Sequence, residues 1–178
     1  MKGEAYTIRV RLDAGTFRRF CRFDTLRLRK KWVRPAVFAL ILVAFAVVAL
    51  LTRREQSGLI AAVLLAVGLG LPLVYFGSFF SQVNLQVARH NLDKPRPVYT
   101  VCLDGNGIRV TNDQREEAPL EVSWKDAQAA FRAKGCIYLY INAQRAFLLP
   151  EGQCDADAVW AFLKRNMAER CADRRWKV

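Results

Sequence analysis

Histidine is nearly missing from this sequence: His90 is the only one in 178 residues. The five cysteines, Cys21, Cys102, Cys136, Cys154 and Cys171, are scattered, and no two share a Cys-x-x-Cys spacing. A zinc site needs several convergent thiolates or imidazoles, so no metal and no cofactor is expected. An odd, dispersed set reads as reduced thiols packed as small hydrophobes, which favours a cytosolic face. His90, with no ligand-type neighbour, reads as a plain juxtamembrane residue rather than a pH sensor. Also lacking are a glycine-rich phosphate loop closed by lysine and a hydroxyl residue, a serine elbow, and a His-Glu-x-x-His helix. Gly105 and Gly107 form a Gly-x-Gly, but the chain leaves it as a strand, so it is a turn. Glu116 and Glu117 are paired carboxylates in a polar loop, where solvation is a better reading than acid–base chemistry. No catalytic residue is assigned, and an enzyme is not expected.

Acidic charge is scarce at the N-terminal end. Residues 1–34 hold eleven Lys/Arg against three Asp/Glu, whereas residues 98–178 hold twelve against eleven. A nucleic-acid binder would place its basic excess on a folded domain, so no nucleic-acid partner is expected. The excess instead adjoins the first of two long runs without charge. These runs are Pro35–Leu51 (PAVFALILVAFAVVALL) and Leu59–Phe80 (LIAAVLLAVGLGLPLVYFGSFF). As helices they would span about 26 and 33 Å, against a hydrocarbon core of roughly 30 Å. Two such runs joined by the short polar link TRREQSG at 52–58 predict an antiparallel transmembrane hairpin over residues 35–81. The first run begins only after a patterned, charged stretch, so no cleavable signal peptide is expected. The flanks outside the hairpin carry eleven basic residues, and the link carries only Arg53 and Arg54. The positive-inside rule then predicts that both termini are cytoplasmic.

Before the hairpin, Tyr6, Ile8, Val10 and Leu12 alternate with polar residues, the period of a half-buried strand. Residues 14–32 read as one amphipathic helix. Phe17, Phe20, Cys21, Leu28 and Trp32 lie on one side, with Arg18, Arg22 and Arg29 on another. Two roles stay open for it: lying at the headgroups, or packing on the C-terminal domain. The headgroup role assigns membrane-surface contact to Arg18, Arg22, Arg29, Lys30, Lys31 and Arg34. In the second span, Ala62, Ala66 and Gly70 recur every four residues, a spacing that lets membrane helices approach closely. The first helix of the hairpin is the simplest partner for that stripe; a homodimer through the second membrane helix is the alternative. Pro72 predicts a kink. Residues 82–97 form a juxtamembrane linker ending in Lys94-Pro95-Arg96-Pro97.

Residues 98–178 read as a small α+β domain. VYTVCL, GIRVT, LEVSW, CIYLYI and AFLL are strands, and Asp104 to Gly107 is a turn. Residues 125–134 read as either a helical turn or a bulged strand. Asp155 is a plausible N-cap for a final helix with Val159, Phe162, Leu163 and Met167 inside. About 80 residues make a marginal core, so the strand at residues 5–12 is expected to join this sheet. Tyr138 and Tyr140 share one face of their strand. They would line a peptide or lipid groove, or else pack under the last helix.

This order of elements resembles the YcxB-like membrane proteins of bacteria. The resemblance rests on Val98-Tyr99-Thr100-Val101, Gly107-Ile108-Arg109-Val110-Thr111, Val122-Ser123-Trp124, Ile137-Tyr138-Leu139-Tyr140-Ile141 and Ala146-Phe147-Leu148-Leu149-Pro150. It implies a small antiparallel pleckstrin-homology-like sheet closed by the C-terminal helix, and no established activity. The expectation is a hairpin in the bacterial inner membrane carrying a cytoplasmic α+β domain. The function expected is a non-enzymatic binding or regulatory module whose partners are the lipid bilayer and an unidentified protein. An immunity or stress-protection protein acting through its hairpin is the alternative, and an oligomeric transport subunit a further one.

Overall fold

A computed structural model describes residues 4–52, 56–113 and 118–175. Arg53, Arg54, Glu116 and Glu117 lie outside the described residues. The chain divides into two compact units, one of Met1–Phe20 with Leu92–Val178 and one of Cys21–Asn91.

The first unit is built on strands that alternate. In β1 (Tyr6–Leu12), Ile8, Val10 and Leu12 are buried and the residues between them are exposed. Inward apolar and outward polar residues need a second layer on the inner face. That demand draws β1 across the intervening hairpin to pair antiparallel with β2 (Arg96–Leu103), in the register Ile8 to Val101. After β2, the Asp104 carboxylate accepts the N–H groups of Asn106 and Gly107 at 2.8 and 2.9 Å. This side-chain turn returns the chain as β3 (Gly107–Asn112). Gly107 is held to glycine, because a Cβ there would collide with the Val122 carbonyl oxygen. The next strand, β4 (Leu120–Ser123), completes an antiparallel sheet in the order β1-β2-β3-β4.

A second sheet follows. It contains β5 (Ala129–Ala133), β6 (Cys136–Tyr140) and β7 (Ala146–Pro150). Helix α1 (Ala14–Arg22), which follows β1, belongs to this unit through its first two turns. Asp155 N-caps a C-terminal helix (Ala156–Met167), accepting the Ala158 N–H at 3.1 Å. That helix buries Val159, Trp160, Phe162, Leu163 and Met167. Its Phe162 ring lies 5.3 Å from Tyr6 and 5.8 Å from Trp124. A last strand, β8 (Cys171–Asp173), pairs parallel with β5, so the second sheet runs β7-β6-β5-β8 and is mixed.

The fold is therefore α+β, with two sheets in place of the single small antiparallel sheet expected. Strand β5 resolves the ambiguity at residues 125–134. Its inward residues are Ala130 and Arg132, one small and one charged, so it carries no hydrophobic alternation to read. Arg132 tolerates burial because its Nε donates to Glu151 at 2.8 Å and its guanidinium to Asp157 at 2.7 Å. The Tyr99 hydroxyl ties the two sheets together. It donates to the Leu148 carbonyl and accepts the Leu148 N–H, at 3.1 and 2.8 Å.

The second unit contains two long helices, α2 (Val33–Leu51) and α3 (Ser57–Arg89). Both are long and apolar enough to cross a membrane. They pack on each other through Ala46, Ala61 and Gly68, where a Cβ on Gly68 would meet the Leu42 Cβ at 3.1 Å. Helix α3 runs unbroken through Pro72. Its 33 residues extend about 50 Å, some 20 Å more than a hydrocarbon core requires. Its polar end from Ser81 to Arg89 supplies about 13 Å of that excess. Asn91, at a φ of 49°, stops the helix in the left-handed conformation.

The single helix expected over 14–32 is instead two segments. After α1, residues Phe23–Leu28 form a π-helical stretch, in which the Arg29 N–H bonds the Asp24 carbonyl five residues back. The same widened turn brings the Asp24 and Arg29 side chains together at 2.8 Å. Residues five apart diverge by about 140° on an α-helix but share a face on a π-helix. Lys30 then takes a φ of 47° and ends the segment before α2.

Candidate functional site

The residues singled out in the sequence fall into three places. The first is the base of the hairpin. Arg22, Lys30, Lys31 and Arg34 are exposed there, and Arg29 is exposed but paired with Asp24. Trp32 stands 43% exposed at the start of α2, its indole N–H donating to the Leu26 carbonyl at 3.1 Å. The Arg22 guanidinium lies 5.6 Å from the centre of the Phe80 ring, within the range of a cation–π contact. Exposed cations in the same segment as an exposed tryptophan, one of them over an exposed phenylalanine, suit the boundary between headgroups and hydrocarbon.

Phe20 separates the two roles left open for the amphipathic stripe. Its ring packs edge-on to Tyr138 at 5.3 Å and lies 6.3 Å from Tyr140. The first turns of α1 therefore pack on β6, with Arg18 exposed on their outer side. The residues beyond, from Cys21 to Trp32, belong to the hairpin unit. Burial and the nearby Asp24 carboxylate push the Cys21 thiol up to about 11, so it is not a reactive thiolate.

The second place is the tyrosine pair. Tyr138 and Tyr140 do share a face of β6, but they are 2% and 3% exposed. Phe20 covers both, and Phe131 stacks edge-on to Tyr140 at 5.6 Å. They do not line an open groove. What packs on them is α1, which the sequence offered as a neighbour of the domain but not as the cover of these two rings.

The third place is the small-residue stripe. Ala62 and Ala66 are exposed, and an added Cβ on Gly70 would meet open space. The hairpin closes through Ala61 and Gly68 instead, so the stripe is not its internal seam. Residues seven apart return to within about 20° of each other on a helix, while each step of four drifts by about 40°. Ala61 and Gly68 thus stay on α2, and Ala62, Ala66 and Gly70 walk away from it.

One further feature escaped the sequence reading. A cavity of about 250 Å³ lies in the first unit, with Tyr99, Val110, Ala118, Leu120, Arg145 and Phe147 among its walls. Leu120 and Val122 alternate inward on β4, yet both remain only half-buried. That alternation on so short a strand was the available signal. Among the described residues no group of three or more His, Cys, Asp or Glu side chains is placed to hold a metal ion. The buried Cys136 thiol is pushed up to about 12 by burial, so it too stays protonated. These geometries define an α+β protein with a pair of membrane-length helices. Compared with known protein families, curated proteins and solved structures, the chain finds no match in any of the three.

Proposed function

We propose that the chain is a membrane-anchored, non-enzymatic binding or regulatory module. Its α2–α3 hairpin spans a bacterial inner membrane and holds the β-rich unit at the cytoplasmic surface. One observation carries this reading. Leu40, Leu51, Leu59 and Leu73 are each more than 70% exposed on helices with no charge between Pro35 and Leu51 or between Leu59 and Phe80. A soluble protein hides such side chains; a bilayer takes them in. The basic residues at the hairpin base supply the second anchor, each cation near an anionic leaflet contributing about 1 kcal/mol. Seven strands packed with a late helix that buries five side chains, before the short last strand β8, support a pleckstrin-homology-like reading of the β unit, in line with the YcxB-like resemblance. The stripe of exposed Ala62 and Ala66, with open space beside Gly70, supports a second, compatible reading, in which two copies meet through α3 within the membrane.

Reporter fusions test the orientation. A reporter after residue 178 is expected in the cytoplasm and one within residues 52–58 on the opposite side. A C-terminal reporter outside the cytoplasm overturns the proposal.

A further inference from the structure

We infer that the open edge of β4 and the cavity beside it form a docking site for an extended peptide that carries an apolar residue next to a carboxylate. The inference rests on the reading of this chain as a binding module, and it names where and what the β unit binds.

Three observations converge. The first is the unfinished edge. Among the described residues, strand β4 has a hydrogen-bonded neighbour only on the β3 side, which leaves its other row of backbone groups to a further strand. The second is the unfinished core. On β3, Ile108 and Val110 are 1% and 6% exposed, while their cross-strand partners Leu120 and Val122 remain half-buried. Among the described residues, the inner face of β4 is only partly covered. A strand added along β4 would direct alternate side chains onto that face, because residues opposite each other in a pleated pair share a face. The third is charge. The cavity is walled by Tyr99, Val110, Leu120 and Phe147, with the ring of Tyr99 5.1 Å from that of Phe147. The exposed Arg145 also lines the cavity, and it has no ion-pair partner among the described residues. An apolar side chain fits the walls, and a carboxylate fits the cation.

An isolated amphiphile would use the cavity and the cation but not the strand edge. A peptide uses all three, in the manner of strand addition with pockets for alternate side chains. The cavity is small for a ligand site, which suits one side chain better than a long acyl chain. At the partner's end, the carboxylate is either a chain terminus or an acidic side chain, and the same guanidinium would receive both.

The test uses the full chain in nanodiscs and a randomised library of labelled peptides with free carboxyl ends. The strongest binders are then remade in amidated form, with acidic side chains changed to amides, and with proline at alternate positions. Octanoate is run as a competitor. The expected result is selection of peptides with an apolar residue beside a carboxylate. Arg145→Gln or removal of that carboxylate should weaken binding at least tenfold, and proline should abolish it. Leu120→Glu should also weaken it at least tenfold. Amide exchange at residues 120–123 should slow on binding, a signature that a purely structural effect of the substitutions does not produce. Arg145 is exposed, so its variant is expected to keep the thermal midpoint of the parent. If the library yields no binder, or binders indifferent to Arg145→Gln and to proline, the site is overturned. Binding of octanoate without any peptide also overturns it, in favour of a lipid-chain pocket. None of these outcomes bears on the reporter fusions, so failure here leaves the membrane-anchor reading separately judged.

Discussion

Leucine meets opposite fates in the two units. In the β unit, Leu103, Leu139, Leu149 and Leu163 are fully buried. In the hairpin, Leu40, Leu51, Leu59 and Leu73 lie largely bare. The residue is the same, so its hydrophobicity cannot decide where it goes. The backbone around it decides. An α-helix satisfies its own N–H and C=O groups, so a helix can be apolar all round if its surroundings are apolar too. A strand satisfies none of its own backbone polar groups and must assemble a sheet before it can bury anything. The hairpin therefore needs a solvent that welcomes its surface, and the β unit needs a core that hides its own.

The largest expected difference between the units follows directly. Leu163→Ala leaves a void in a closed core and should cost about 2–5 kcal/mol. Leu40→Ala removes a side chain that touches little protein and should fall within about 0.5 kcal/mol. Denaturant unfolding in a mild detergent, followed by near-ultraviolet circular dichroism, measures both. Comparable losses at the two positions would mean that the hairpin face is covered by protein, and the contrast would fail.

A smaller effect sharpens the contrast inside the hairpin. Gly68→Leu should force α2 and α3 apart and destabilise their packing by about 1–3 kcal/mol. Gly70→Leu, which enters open space, should leave that packing intact. Cross-linking of a cysteine pair introduced across the α2–α3 seam reads the difference. Equal losses would place Gly70 in a seam after all, as a contact between two copies would require.

The smallest effect is set by pH. The side-chain hydrogen bond from Arg132 holds the Asp157 carboxyl below the usual carboxylate range, and that from Arg175 does the same for Asp173. Groups with depressed values stabilise the fold fully above their unfolded value of about 3.9. That stabilisation is lost as pH falls through the lower folded values. The β unit should therefore loosen in acid while helicity from the charge-free spans persists. Asp157→Asn should reduce the pH dependence of the near-ultraviolet signal. An unchanged acid transition in that variant would show that the Arg132 pair is not its source.

The positions of the hairpin helices were legible from the sequence because a run without charge carries its signal residue by residue. Strand β1 was legible from strict alternation, and so was the need for it to find a sheet, since 80 residues alone make a thin core. The N-cap at Asp155 was legible because the capping chemistry is local. Other features depend on partners distant in the chain, and no local pattern encodes those. Strand β5 was hidden because its inward Arg132 is neutralised by Glu151 and Asp157, residues that only the fold brings near. Phe20 covers Tyr138 and Tyr140 across more than a hundred residues of sequence, so the pair read as a face when it is an interior. The small-residue stripe was visible, but which face of α3 meets α2 is a matter of rotation, and rotation is settled by packing at Gly68 against Leu42. Composition and periodicity determined the two long helices, the C-terminal helix and the strands that alternate. The tertiary structure alone decided which faces are covered, because burial belongs to pairs of surfaces and a sequence presents them one at a time.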